Sequence, residues 1–317
     1  WLKTQVEVPD CSGLTQAAAE ATLTASSLAT GAILWSYHDT IMAGKAIHTE
    51  PAAGNTVHSG SAVNLVFSMG PYQTVEPEGM VWLEINDPGI ADHEGFSGRM
   101  SKYETTNAQY CHYLNGALAS GDITISGNEV LGADGFNEGD DFVGQIYYNL
   151  AGPGYTVNGA SSGGATHIHY TAGVFRVDSG FENHPVTYVS WYGAAAFCNF
   201  YGYQLPTEWQ WQAVADYDGS FTYGCGTAIH TGIANYCDSV HPQGTTAAGA
   251  FGSYGYGVCD MAGNVWEWTS TDSGNGMIVR GGAWNISPEY CTVNTPSSRP
   301  VFKQINTSGS FGFRACR

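Results

Sequence analysis

Asp260-Met-Ala-Gly-Asn-Val-Trp-Glu-Trp268 gathers two tryptophans, two carboxylates and a glycine into one short stretch. Side chains of an extended chain alternate, so from Val265 to Trp268 the two rings of Trp266 and Trp268 share one face while Val265 and Glu267 share the other. The rings anchor a core. A turn at Gly263 brings Asp260 back toward Glu267, and two carboxylates together with backbone carbonyls at a turn form an oxygen-donor set that suits a hard cation. The plainer reading of the same residues is a buried tryptophan pair beside a hydrogen-bonded glutamate.

Composition bounds what this stretch can belong to. The chain has 317 residues, 43% of them hydrophobic, enough for one large domain with its own core plus a small one. Its 42 glycines, 19 tyrosines and 9 tryptophans point to a loop-rich, aromatic-cored body. Ten Lys and Arg stand against 28 Asp and Glu, a formal charge of −18. Such a surface repels phosphate backbones and anionic membranes, so nucleic acid is excluded as a partner. No apolar run approaches the roughly 18 residues that a membrane span needs. Eight cysteines in a chain opening at Trp1 lead us to expect a trimmed, exported product in an oxidising compartment, extracellular or on the cell surface. Cys225 and Cys237 flank a Gly/Thr-rich loop and make a plausible bridge, although eight cysteines leave the full pairing open.

In chain order, residues 1–69 read as a first domain. Val8-Pro-Asp-Cys-Ser-Gly-Leu14 leads into an Ala-rich helix with Thr15 near its N-cap, and three strands follow, over Ala32–Tyr37, from Ile41 through a turn to Ile47, and over Ser59–Phe67. Residues 70–79 are a Pro-bearing linker, and 80–317 the large domain. There Met80–Ile85 alternates like a strand, and a helix over Thr106–Leu118 places Tyr110, Tyr113, Leu114 and Leu118 on one face. Gly121–Ser179 reads as inserted hairpins. Its acidic run Asp134–Asp141 is expected to be a solvated loop, since it lacks the spacing of an EF-hand, and His167 and His169, which share one strand face as a metal pair would, are expected to be surface histidines because no third ligand is in sight. A helix over Trp191–Tyr201 buries Trp191, Ala194, Ala195 and Cys198, and another opens with Pro206 at its first helical position and Glu208 in its first turn.

Two resemblances follow from the quoted motifs. His184-Pro-Val-Thr-Tyr-Val-Ser-Trp191, Gln204-Leu-Pro-Thr-Glu-Trp209, Gly263-Asn-Val-Trp-Glu-Trp268, Val279-Arg-Gly-Gly-Ala-Trp284 and Gly312-Phe-Arg314 occur in the order of the formylglycine-generating-enzyme, or sulfatase-modifying factor, family. Tyr103-Glu-Thr-Thr-Asn-Ala-Gln-Tyr110 resembles that family's early helix entry. The first domain resembles a PASTA domain in its Val-Pro-Asp start, its Ala-rich helix, Pro51-Ala-Ala-Gly54 and Gly60-Ser-Ala-Val63. The fold class implied is α+β: an elaborated C-type-lectin-like fold with little regular secondary structure, plus a small α+β PASTA-like domain.

The resemblance also implies sites. Calcium is expected at the Asp260 and Glu267 side chains and the Gly263 and Val265 carbonyls. A second family calcium near Asn235-Tyr236 would need a downstream acid that Thr245–Ala250 lacks. Cys198 and Cys316 fall near a family disulfide. The family's oxidase activity is expected to need two thiolates holding Cu(I) just after the Gly-Gly pair, because soft Cu(I) favours polarizable donors. Cys291 matches the second, but the first falls on Ile286, which has no donor atom. Copper is therefore not expected, no residue is assigned as catalytic, and Cys291 reads as a structural thiol or half-cystine. In related domains the stretch matching Trp284–Gly309 presents a variable ligand-binding surface. These residues point to a non-catalytic protein of bacterial type, outside the cell or on its surface, that binds a protein or glycan ligand or assembles with copies of itself. The PASTA-like unit would serve as anchor, connector or contact to the cell wall. The alternative is a copper-dependent formylglycine-generating oxidase with an altered metal site, in which Cys291 would be catalytic.

Overall fold

The structure is a computed structural model that describes residues 4–36, 41–42, 44–68, 76–89, 94–133, 141–152, 156–157, 160–161, 165–237, 244–294 and 299–317. The chain divides into two compact units, Trp1–Thr74 and Val75–Arg317. Most of the acidic run 134–141 lies outside the described residues.

The first unit contains β1 (Gln5–Glu7), α1 (Gln16–Ala25), β2 (Ala29–Ser36), β3 (Ala46–Glu50), β4 (Thr56–His58) and β5 (Ala62–Ser68). Thr15 is the N-cap of α1 as its sequence position suggests, but its hydroxyl makes no capping bond. Helix α1 buries Ala19 and Leu23. These residues join Val8, Leu28, Val63, Leu65 and Phe67 in one small core. The sheet order is β2-β5-β3, with β2 parallel and β3 antiparallel to the central strand. The expected helix followed by three strands is present, and an additional β1–β4 pair runs antiparallel beside it.

The large unit begins with the hairpin β6 (Trp82–Asp87) and β7 (Phe96–Ser101), followed by α2 (Asn107–Ser120). Thr106 caps α2 with a full capping box, its hydroxyl accepting from Gln109 N while the Gln109 side chain accepts from Thr106 N. Tyr110, Tyr113 and Leu114 are buried as the helical spacing requires, and Leu118 is half-buried. The inserted hairpins are β8 (Ile123–Ser126), β9 (Glu129–Gly132) and β10 (Ile146–Asn149) in one sheet, then the pairs β11 (Thr156–Val157) with β12 (Ala160–Ser161) and β13 (Ile168–Thr171) with β14 (Val174–Val177). Helix α3 (Trp191–Tyr201) packs Phe197 and Phe200 against Tyr110, Tyr113 and Phe313, with ring centroids 5.2–6.0 Å apart. Helix α4 (Glu208–Ala215) starts later than its proline suggests. The Thr207 hydroxyl accepts from Gln210 N, which makes Thr207 the N-cap and leaves Pro206 outside the helix.

The quoted stretch lies at the centre of a four-stranded sheet. Here β15 (Trp266–Asp272) pairs antiparallel with β16 (Met277–Arg280) and parallel with β18 (Phe311–Gly312), while β17 (Val301–Phe302) pairs with β16. Val265, Trp266, Glu267 and Trp268 are all buried, so neither face of this segment meets solvent, and β15 reaches the surface from Ser270 onward. Trp211 of α4 lies over the Glu267 face, with the Arg280 guanidinium 5.1 Å from its ring. Gly263 is required by its position. Its φ of 83° favours glycine, and a Cβ there would lie 2.2 Å from the Asn235 carbonyl oxygen.

Candidate functional site

Glu267 is fully buried. Arg314 Nε and Nη2 donate to its two oxygens at 2.6 Å each, and Trp211 Nε1 donates to one of them at 2.7 Å. Arg314, also fully buried, donates further to the carbonyls of Cys259, Ser101 and Lys102. Glu104 is close by, accepting from Asn264 Nδ2 at 2.7 Å and from Val265 N at 3.3 Å. Asp260 accepts from Gly249 N at 2.5 Å. Three carboxylates thus share one guanidinium. Burial, then the Asp260 and Glu267 charges, push Glu104 well above the usual carboxylate range, and burial pushes Asp260 up to about 6.

In the expected calcium set the Glu267 carboxylate is already held by Arg314 and Trp211. Among the described residues no group of three or more His, Cys, Asp or Glu side chains has the arrangement of a metal site. Near Asn235 the amide Nδ2 donates to Gly244 O at 2.9 Å, and the backbone carbonyl accepts from Asn264 N at 2.7 Å. Asn235 thereby serves as a brace for the turn.

Cys291 lies directly beside the Gly-Gly pair. It is fully buried, and a Cβ on Gly282 (φ 78°) would come within 2.4 Å of its sulfur. Burial, then the neighbouring Cys225, push its thiol up to about 12, so at neutral pH it is not a ready thiolate. Ile286 is half-buried. No disulfide joins the eight cysteines in this structure. Cys198 and Cys316 are both buried and near enough for the charge of one to oppose ionisation of the other. Cys225 is buried and Cys237 exposed.

The stretch 284–309 is tied at its stem, where Trp284 Nε1 donates to Gly309 O at 3.0 Å. Inside it, Arg299 makes two bonds of 2.5 Å to buried Glu208 and lies 4.6 Å from the Trp209 ring. Elsewhere on the unit Phe142, Trp191, Cys198, Asn199, Gln204 and Ser270 line an open cavity of about 260 Å³.

The histidine pair acquires a third partner. Hairpin β13–β14 places Asp178 against both rings, its Oδ2 lying 3.2 Å from His167 Nδ1 and 3.1 Å from His169 Nε2. His169 is exposed, but His167 is buried, stacked on Phe181 at 3.5 Å, with its Nε2 lacking any partner. Burial lowers the pKa of His167 and of nearby His184. Below the unfolded value of about 6.5 the unfolded chain then binds more protons than the fold, so stability falls as pH falls. The melting temperature of the large unit is expected to drop between about pH 7.5 and about pH 5, and His167→Gln to flatten that slope in a pH series of thermal melts.

A model of the sulfatase-modifying factor enzyme 1-like domain matches residues 91–317. The chain belongs to that family. A PASTA domain model matches residues 6–69. The formylglycine-generating enzyme of Mycobacterium tuberculosis is 29% identical over 168 residues, a match covering 41% of this chain and 56% of that one. The serine/threonine-protein kinase pkn1 of Chlamydia caviae is 36% identical over 105 residues, 32% of this chain and 16% of the kinase. The chain therefore spans little more than half of the first relative and a small part of the second. The solved structure of CarF shares the fold with a TM-score of 0.51 at 18% identity, covering 77% of this chain and 99% of that one.

Glu104, Arg280 and Arg314 were given no role in the sequence reading, although each lies inside a quoted motif. The signal that could have found them is scarcity. With only ten Lys and Arg in the chain, an arginine inside a buried motif has to be paired with an acid.

Proposed function

We propose that the sulfatase-modifying-factor domain is a non-catalytic recognition scaffold of an extracellular bacterial protein. Its ligand, a protein or a glycan, would be met by the stretch 284–309, with the PASTA unit as anchor or connector. The observation that carries this reading is Ile286, standing where the family's first copper thiolate is expected, beside a Cys291 buried against Gly282. One buried, protonated thiol does not hold Cu(I). A second reading, an oxidase with an altered metal site, is favoured by one fact: the neighbouring Cys225 supplies another sulfur. Copper(I) titration of the reduced protein, with oxygen uptake on a cysteine-bearing peptide, separates the two. We expect no stoichiometric copper and no turnover. Both together would overturn the first reading. Electron microscopy of native material tests self-assembly in place of ligand binding, filaments being the outcome that favours assembly.

Calcium is proposed on the charge balance around Asp260. Protein stripped with a chelator is expected to melt higher once calcium is restored, by the linkage that gives about 2.7 kcal/mol at a hundredfold excess over Kd. Asp260→Asn should abolish the gain. An unchanged melt in the parent protein rejects the site.

A further inference from the structure

The turn that carries Cys225 is stitched to the segment that carries Cys291. Gly226 N donates to Tyr223 O at 2.9 Å, closing a tight turn with Gly224 and Cys225 at its tip. Tyr223 pairs antiparallel with Thr292, and Val293 N donates to Thr222 O at 3.0 Å. Thr292 directly follows Cys291, and Cys225 is two residues beyond Tyr223, so the bridge brings the two backbone segments that carry the cysteines side by side. Both sulfurs enter one buried cluster with Ala234 and Ala262, ringed by Tyr223, Ile233, Tyr236 and Tyr254. The charge of Cys225 also acts on Cys291 as the largest influence after burial.

We propose that Cys225 and Cys291 are partners in a disulfide that pins the 222–226 turn to the base of the 284–309 stretch. In this structure both are thiols. Bond formation removes one hydrogen from each sulfur. The two electrons and two protons pass to a small disulfide oxidant, which leaves as two thiols through a mixed-disulfide intermediate. Both thiols are held up at about 12 in the folded chain, which makes the exchange slow there and places it during folding, before the tyrosine ring closes. The pairing differs from the Cys225–Cys237 bridge expected from the sequence. It rests on the reading that Cys291 is not a copper ligand, and it adds to that reading a chemical fate for the leftover thiol.

The test is a peptide map of wild-type protein refolded with oxidised and reduced glutathione, alkylated in denaturant and digested without reductant. The expected product is a Cys225–Cys291 cross-linked peptide that disappears on reduction and persists in Cys237→Ser. A Cys225–Cys237 cross-link, or full alkylation of Cys225 and Cys291 in the oxidised sample, overturns the proposal alone. Stoichiometric Cu(I) in the reduced protein that is lost in Cys225→Ser overturns the proposal and the non-catalytic reading together.

Discussion

Arg314→Met is expected to destabilise the large unit by about 3–5 kcal/mol, among the largest losses any single change in this chain should produce. The guanidinium and the Glu267 carboxylate are both fully buried, and the Arg314 bonds to Glu267, Cys259 and Ser101 end inside the core. Removing the cation leaves Glu267 charged next to Glu104 and Asp260, with only the Trp211 Nε1 bond for support. A carboxylate in that position must either take up a proton or draw in water, and both loosen the sheet around β15. Urea unfolding followed by tryptophan fluorescence measures the loss. Arg314→Met combined with Glu267→Met should recover much of it, because a buried pair replaced by apolar volume is often close to neutral, less about 1–3 kcal/mol for the unpaired Trp211 donor. A single variant within about 1 kcal/mol of wild type would show that Arg314 is not the counter-charge.

Glu208→Ala is expected to cost about 3 kcal/mol and to open the 284–309 stretch to protease. Glu208 receives both Arg299 bonds and has the buried Arg280 Nη1 4.0 Å away. Without the acid, Arg280 keeps only Gln212 and the Val293 carbonyl, while its Nε and Nη1 already lack hydrogen-bond partners. Burial, the first cause, already lowers the Arg280 pKa to about 10. Arg299→Ala should cost less, about 1 kcal/mol, since that side chain is 35% exposed, yet it should release the same segment. Limited proteolysis mapped by mass spectrometry reads the release. Cleavage no faster than in wild type for both variants would show that the stretch is held by other contacts.

The fold was legible where one local rule acted alone. The aromatic face of α2 and the span of α3 both follow from short spacings that burial then respects. The start of α4 was misjudged because proline and threonine compete for neighbouring positions, and the hydroxyl bond to Gln210 decides between them. The site was half legible. Alternation along 265–268 separates the tryptophans from Glu267 and allows a hydrogen-bonded glutamate, but it cannot name the partners Trp211 and Arg314, which arrive from positions 56 and 47 residues away. Periodicity carries no information about such arrivals. The same holds for Asp178, which a hairpin returns to His167, and for Cys225, whose nearness to Cys291 depends on a bridge between Tyr223 and Thr292.

The bond from Trp284 to the Gly309 carbonyl shuts the mouth of a long loop, and Arg299 moors it partway along. Between those points exposed residues such as Asn285, Glu289 and Tyr290 can drift in sequence at little cost, while Cys291 and Val293 stay buried and Val301 and Phe302 stay paired in the sheet. Selection could therefore try many surfaces on one unchanging frame, and a library randomised at those exposed positions alone should yield mostly folded members.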